Sequence, residues 1–92
     1  MLFMNTVEID FAVQRYASHP VLSKATRYLR DWRNVVDQNS DGWAHWSGGP
    51  KAAKSLMTLI QSGDATAAQL RKAIGPIKAT ATRKNLPAPE LY

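Results

Sequence analysis

Three groups of residues in this chain have types and spacings that suit chemistry. The first is Asp37-Gln38-Asn39-Ser40-Asp41-Gly42, with oxygen-bearing side chains at alternate positions before a glycine. That is the front half of an EF-hand calcium loop. Such a loop is completed by a bidentate carboxylate six residues after the glycine. That position is Gly48, and no carboxylate follows Asp41 until Asp64. The strongest ligand is missing, so the segment reads as a helix end followed by an Asx turn. The second group is Trp43, His45 and Trp46. Two expectations stand for these rings. They fold back to give a small core its area, or they form an aromatic anchor for a protein partner. His45 has only Asp41 as a nearby carboxylate, and only Ser40 and Ser47 as candidate nucleophiles. Catalysis needs several groups in one geometry, and no such set can be assembled. Gly48-Gly49-Pro50-Lys51 lacks the spacing of a phosphate-cradling loop. The reading is a non-enzyme without a cofactor.

The third group is a run of cations. The net charge of +5 is distributed unevenly. Residues 1–50 hold five basic and five acidic groups, and residues 51–92 hold seven basic and two acidic. Arg71, Lys72, Lys78, Arg83 and Lys84 all fall between Asp64 and Glu90, a span without carboxylates. A one-signed stretch attracts polyanions and speeds their arrival. The alternative use of such a stretch is a solvated helix face.

The elements that must carry these groups are helices. Asn5 and Glu8 have the spacing of a capping box, and Met4 and Ile9 that of a hydrophobic staple. Ile9, Ala12, Val13 and Tyr16 then form an apolar stripe. A second helix is predicted from Pro20, because proline suits a first turn. Its stripe of Val21, Leu22, Ala25, Tyr28, Leu29, Trp32, Val35 and Val36 is the clearest in the chain and marks the main core. Arg27–Asp31 and Arg33–Asp37 have the spacing to pair one turn apart. Residues 38–49 read as a loop, and Pro50 opens a third helix that buries Ala53, Leu56, Met57 and Ile60 and ends at Gly63. Thr66 and Gln69 form a second capping box, for a fourth helix that Gly75-Pro76 ends. Residues 77–86 make a weaker helix, and Pro87 and Pro89 make 87–92 an extended tail. No stretch alternates long enough for a strand. The expected fold is all-α, a small single-domain bundle of four to five short helices over residues 1–86.

The stretch from Thr66 through Ile74-Gly75 to Thr80, Thr82 and Arg83 resembles the helix-turn-helix of bacterial and phage DNA-binding regulators. Gln69 and Leu70 complete the pattern of a capped first helix. Residues 56–63 resemble the leading helix of the three-helix unit, so the likeness covers residues 52–86. The resemblance implies a second helix bearing Lys78, Thr80, Thr82 and Arg83 in the major groove, where arginine reads guanine. It also implies a phosphate at the amide end of the preceding helix, at Thr66 and Gln69.

Composition bounds the rest. A chain of 92 residues makes one domain with a thin core. It has no cysteine, which excludes disulfides and thiolate metal sites and fits a reducing compartment. Two histidines far apart in sequence do not make a zinc site. No apolar run approaches the roughly 18 residues of a membrane span, and the N-terminus lacks the basic start of a secretory leader. The expected protein is cytoplasmic, binds double-stranded DNA or another polyanion, and pairs as a homodimer if it reads a specific site. The alternative is a phage or mobile-element accessory protein that inhibits a host protein or nucleoprotein complex through its helical surface and tryptophan loop.

Overall fold

The strongest local signal, the Asn5 capping box, forms as spaced. In the computed structural model, which describes residues 4–39, 42–43 and 48–91, Asn5 Oδ1 accepts the Glu8 amide at 2.9 Å. Glu8 Oε2 accepts the Asn5 amide at 3.3 Å. This starts α1 (Thr6–Arg15). Met4 and Ile9 are both buried beside the cap, as a staple requires. The chain continues as α2 (Leu22–Asn39), α3 (Gly48–Ala52), α4 (Lys54–Ser62), α5 (Ala67–Ala73) and α6 (Gly75–Lys84), with no strand among the described residues. The all-α expectation holds. The third helix of the sequence reading is divided at Ala53 into α3 and α4.

Helix α2 begins two residues after Pro20, for a reason the spacing did not reveal. His19 Nδ1 accepts the amides of Val21 and Leu22, at 3.1 and 2.9 Å, so an imidazole caps this helix. Pro20 occupies the turn before it. The α2 stripe then buries Leu22, Ala25, Tyr28, Leu29, Trp32 and Val36 against α1, α3 and α4. This is the centre of the molecule. Its radius of gyration of 11.9 Å is close to the value of about 12 Å expected of a compact chain of this length.

One expected ion pair, Arg33–Asp37, is replaced by longer contacts of each partner. Arg33 does not reach Asp37. It lies on the side of α2 that faces α1, and its Nη1 donates to Thr6 O and to Asp10 Oδ1, each at 3.1 Å. Asp37 Oδ1 accepts the Trp43 amide at 2.6 Å instead, a bond six residues along the chain and so longer than the Asx turn expected after this helix. Ser40 and Asp41, also part of the calcium-like segment, lie outside the described residues.

The short α3 is fixed by close approach. A Cβ built on Gly49 would stand 3.2 Å from Trp43 Cε3 and 3.2 Å from Val36 Cγ1, so only glycine fits without displacing a neighbour. Gly49 O accepts the Trp32 indole N–H at 3.4 Å. Beyond α4, Gly63 takes the left-handed conformation (φ 74°) that its position after a helix implies. At the end of α6, Asn85 does the same (φ 57°). There the Leu86 amide reaches Ala81 O at 2.8 Å and the Asn85 amide reaches Thr82 O at 3.2 Å, a Schellman closure.

Candidate nucleic-acid interface

The C-terminal helices are built on small apolar contacts. Leu70, Ala73, Ile74, Ile77 and Ala81 are buried, and α5 and α6 lean on α4 and α3 respectively. The second capping box forms as spaced. Thr66 Oγ1 accepts the Gln69 amide at 3.2 Å, and Gln69 Oε1 accepts the Thr66 amide at 2.9 Å. The cap takes two of the groups that were expected to meet a phosphate. Thr66 and Gln69 therefore hold the start of α5 in position, while both remain exposed.

Only Ile74 separates α5 from α6. The Ile74 amide bonds Leu70 O and the Lys78 amide bonds Ile74 O, so the helical ladder runs almost through the joint. Pro76 breaks it. Proline has no amide, and its ring crowds the carbonyl four residues back, here that of Lys72. Gly75 belongs to the first turn of α6 and a Cβ there would meet nothing within 4 Å. The joint is thus shorter than the three- to four-residue turn usual between the helices of a helix-turn-helix. It also makes no use of the freedom of glycine.

The predicted cations reach solvent. Arg71, Lys72, Lys78, Arg83 and Lys84 are all exposed, as is Thr82. Among the described residues none of these cations forms an ion pair; the pairs seen are Arg30–Asp31 and Arg33–Asp10. The outward arc of α6 runs over Gly75, Ala79 and Thr82, all small, between Lys78 and Arg83. A surface of that kind lets the helix backbone approach a bulky strand while two long cations reach around it.

Two assignments are corrected. Thr80 is 6% exposed and turned inward beside Ile77 and Ala81, so it contacts the core and not a base. Trp43 is 5% exposed, with its indole N–H donated to Met4 O at 3.0 Å, so it packs the core and is no anchor for a partner. His45 and Trp46, named with it, lie outside the described residues.

Two cations that sequence reasoning did not assign lie on α3 and α4, the helices on which α6 and α5 pack. Lys51 and Lys54 are exposed, and α3, which carries Lys51, packs on α6. Their charge was visible in the composition, but their position depends on how α3 and α4 pack on the other helices. Between α4 and α5 a groove has Ser55, Thr58 and Ser62 on one bank, Gln69 and Lys72 on the other, and the carboxylate of Asp64 in its lining.

No family model, no curated protein and no solved structure matches this chain. No helix among the described residues is long and apolar enough to cross a membrane.

Proposed function

We propose that this protein binds duplex nucleic acid, most simply double-stranded DNA, through the exposed basic surface of α5 and α6, and acts there as a regulator. One observation carries the reading. Arg71, Lys72, Lys78, Arg83 and Lys84 project from two consecutive helices with no ion-pair partner among the described residues and no carboxylate in the span between Asp64 and Glu90. Unpaired cations gathered on one segment are raised in energy by mutual repulsion, and a polyanion relieves it. The contacts divide by role. Arg71, Lys72 and Lys84 neutralise phosphates, which gives affinity without sequence preference. Lys78, Thr82 and Arg83 occupy the outward arc of α6, where arginine has the fork that reads guanine.

Fluorescence anisotropy on a duplex across a salt series tests this. Phosphate contacts by Arg71, Lys72 and Lys84 give a log–log slope of roughly −3, at about −0.9 per contact, and contacts by all five cations give roughly −4 to −5. Lys84→Ala weakens all sequences alike and lowers the slope by about one. Arg83→Ala relaxes sequence preference by about 1–3 kcal/mol if that side chain reads a base. Absence of binding at low salt overturns the proposal. A steep slope without sequence preference keeps the basic surface and removes the regulator.

A further inference from the structure

Helix α1 presents an exposed apolar pair. Val7 is 60% and Phe11 is 66% exposed, two of the three large apolar side chains left in solvent among the described residues. They stand one turn apart, and Phe11 lines a groove whose floor includes Ala12, Tyr16 and Ile60, with Glu8 and Arg15 at its edges. An unexplained apolar patch with a charged rim marks a surface that another molecule covers.

The charges on the rim say what that molecule is. Glu8 and Arg15 are seven residues apart, close to two full turns, so they lie on one side of the helix with Phe11 between them. Place a two-fold axis beside Phe11, at right angles to the helix. It reverses the direction of a second α1 but keeps each flank on its own side. Phe11 then meets Phe11 of the second copy, and Glu8 meets Arg15 of the second copy, twice over. Arg15 has no ion pair among the described residues, and its guanidinium rests 5.5 Å from the Tyr16 ring centroid. Among the described residues only the Asn5 amide bonds Glu8 Oε2, at 3.3 Å. Both groups retain the capacity to pair.

We infer that α1 is a self-complementary interface, through which two copies of this chain form an antiparallel, two-fold symmetric dimer centred on Phe11. An isologous contact of this kind requires each patch to complement itself, which the order acid–apolar–base along one flank provides. A ten-residue helix is about 15 Å long, so the interface falls below the standard size and the dimer is a weak one. The inference does not rest on nucleic-acid binding, although a dimer would present two copies of the basic surface.

Sedimentation velocity without nucleic acid, from about 20 µM to about 1 mM at about 0.15 M salt, covers the range of weak interfaces while screening the net charge of each chain. The expected mass rises from 10.2 kDa towards twice that value, and Phe11→Ser abolishes the rise. The decisive arm uses charge. Glu8→Arg places two like charges opposite each other in a self-dimer, and so does Arg15→Glu. Each variant alone stays monomeric, whereas a one-to-one mixture associates, because the two rims then complement each other. Phe11 and Arg15 are exposed, so their substitution leaves the helical circular dichroism unchanged, and the same spectrum checks the Glu8 variant. Three outcomes overturn the inference: a wild-type chain that stays monomeric at the highest concentration, a Phe11→Ser variant that associates like wild type, or a mixture that remains monomeric.

Discussion

Arg33 in α2 and Arg83 in α6 carry the same guanidinium and put it to opposite use. The Arg33 side chain is 9% exposed and ties α2 to the first two turns of α1 through Thr6 O and Asp10, 27 and 23 residues away. Arg83 stands in solvent with no ion pair among the described residues. The same contrast runs through the two halves of the molecule. In the first, large side chains fill the core and long polar straps cross it, from Trp43 to Met4 O and from Trp32 to Gly49 O. In the second, Thr58, Ser62, Thr66 and Gln69 bond only two to four residues along the chain. Cohesion between helices there falls to small and aliphatic groups such as Leu70, Ile77 and Ala81. The first half turns one arginine inward to tie its own helices together, whereas the C-terminal cations stand in solvent without an ion pair among the described residues.

The comparison is broken most severely at Trp32. Its ring is fully buried where α2 meets α3. Trp32→Ala costs about 3–5 kcal/mol, which for so small a domain is most of its stability. Urea unfolding followed by circular dichroism measures the loss. Arg33→Met keeps the buried stem and removes the strap, at about 1.5–3 kcal/mol for the charged hydrogen bonds. Asp10 is half exposed and regains water, so the loss stays below the 3–5 kcal/mol of a fully buried pair. A loss under ~0.5 kcal/mol would mean that the strap contributes nothing and that the two halves do not differ in this respect.

Tyr28 sharpens the contrast from the other direction. It is fully buried, and its hydroxyl is the one buried side-chain polar atom without a hydrogen-bond partner among the described residues. Burial raises its pKa above the ordinary phenol value. Tyr28→Phe removes an unsatisfied group and stabilises by about 1 kcal/mol near neutral pH. The pH dependence follows from the direction of the shift. The phenol ionises more readily in the unfolded chain, so its contribution is intact below the ordinary phenol pKa, near ~10. It is lost as pH rises towards the folded value. Wild type therefore loses stability in alkali faster than Tyr28→Phe, and parallel urea titrations on both sides of that pH show it.

The smallest expected effect lies in the basic half. Lys78→Ala and Arg83→Ala together leave stability within about 0.5 kcal/mol, since neither side chain is bound to the fold. Thermal melts check this, and a clear stabilisation would reveal how strongly the cations repel one another. Thr66→Ala, a few residues away, costs about 1 kcal/mol through its cap. The pair of results separates residues that hold α5 from those that α6 merely displays.

What the sequence determined alone is what neighbours within about four residues decide. The caps at Asn5 and Thr66 and the left-handed Gly63 were legible for that reason, because each is completed by groups on the same turn. The α2 stripe was legible because a helix buries one face at fixed spacing. The inward turn of Thr80 was legible too, since it shares a face with Ile77 and Ala81, but likeness to a DNA-reading helix assigned it outward. The His19 cap was missed because an imidazole is an unusual acceptor for helix amides, although its partners are two and three residues away. Other features had no local signal at all. That Arg33 pairs with Asp10 and not Asp37, that the Trp43 indole reaches Met4 O, that Gly49 admits Trp43 and Val36 at close range, and that Lys51 sits on a helix against α6 depend on where separate helices come to rest. Burial is a property of the space between elements, and that space exists only once the chain has closed on itself.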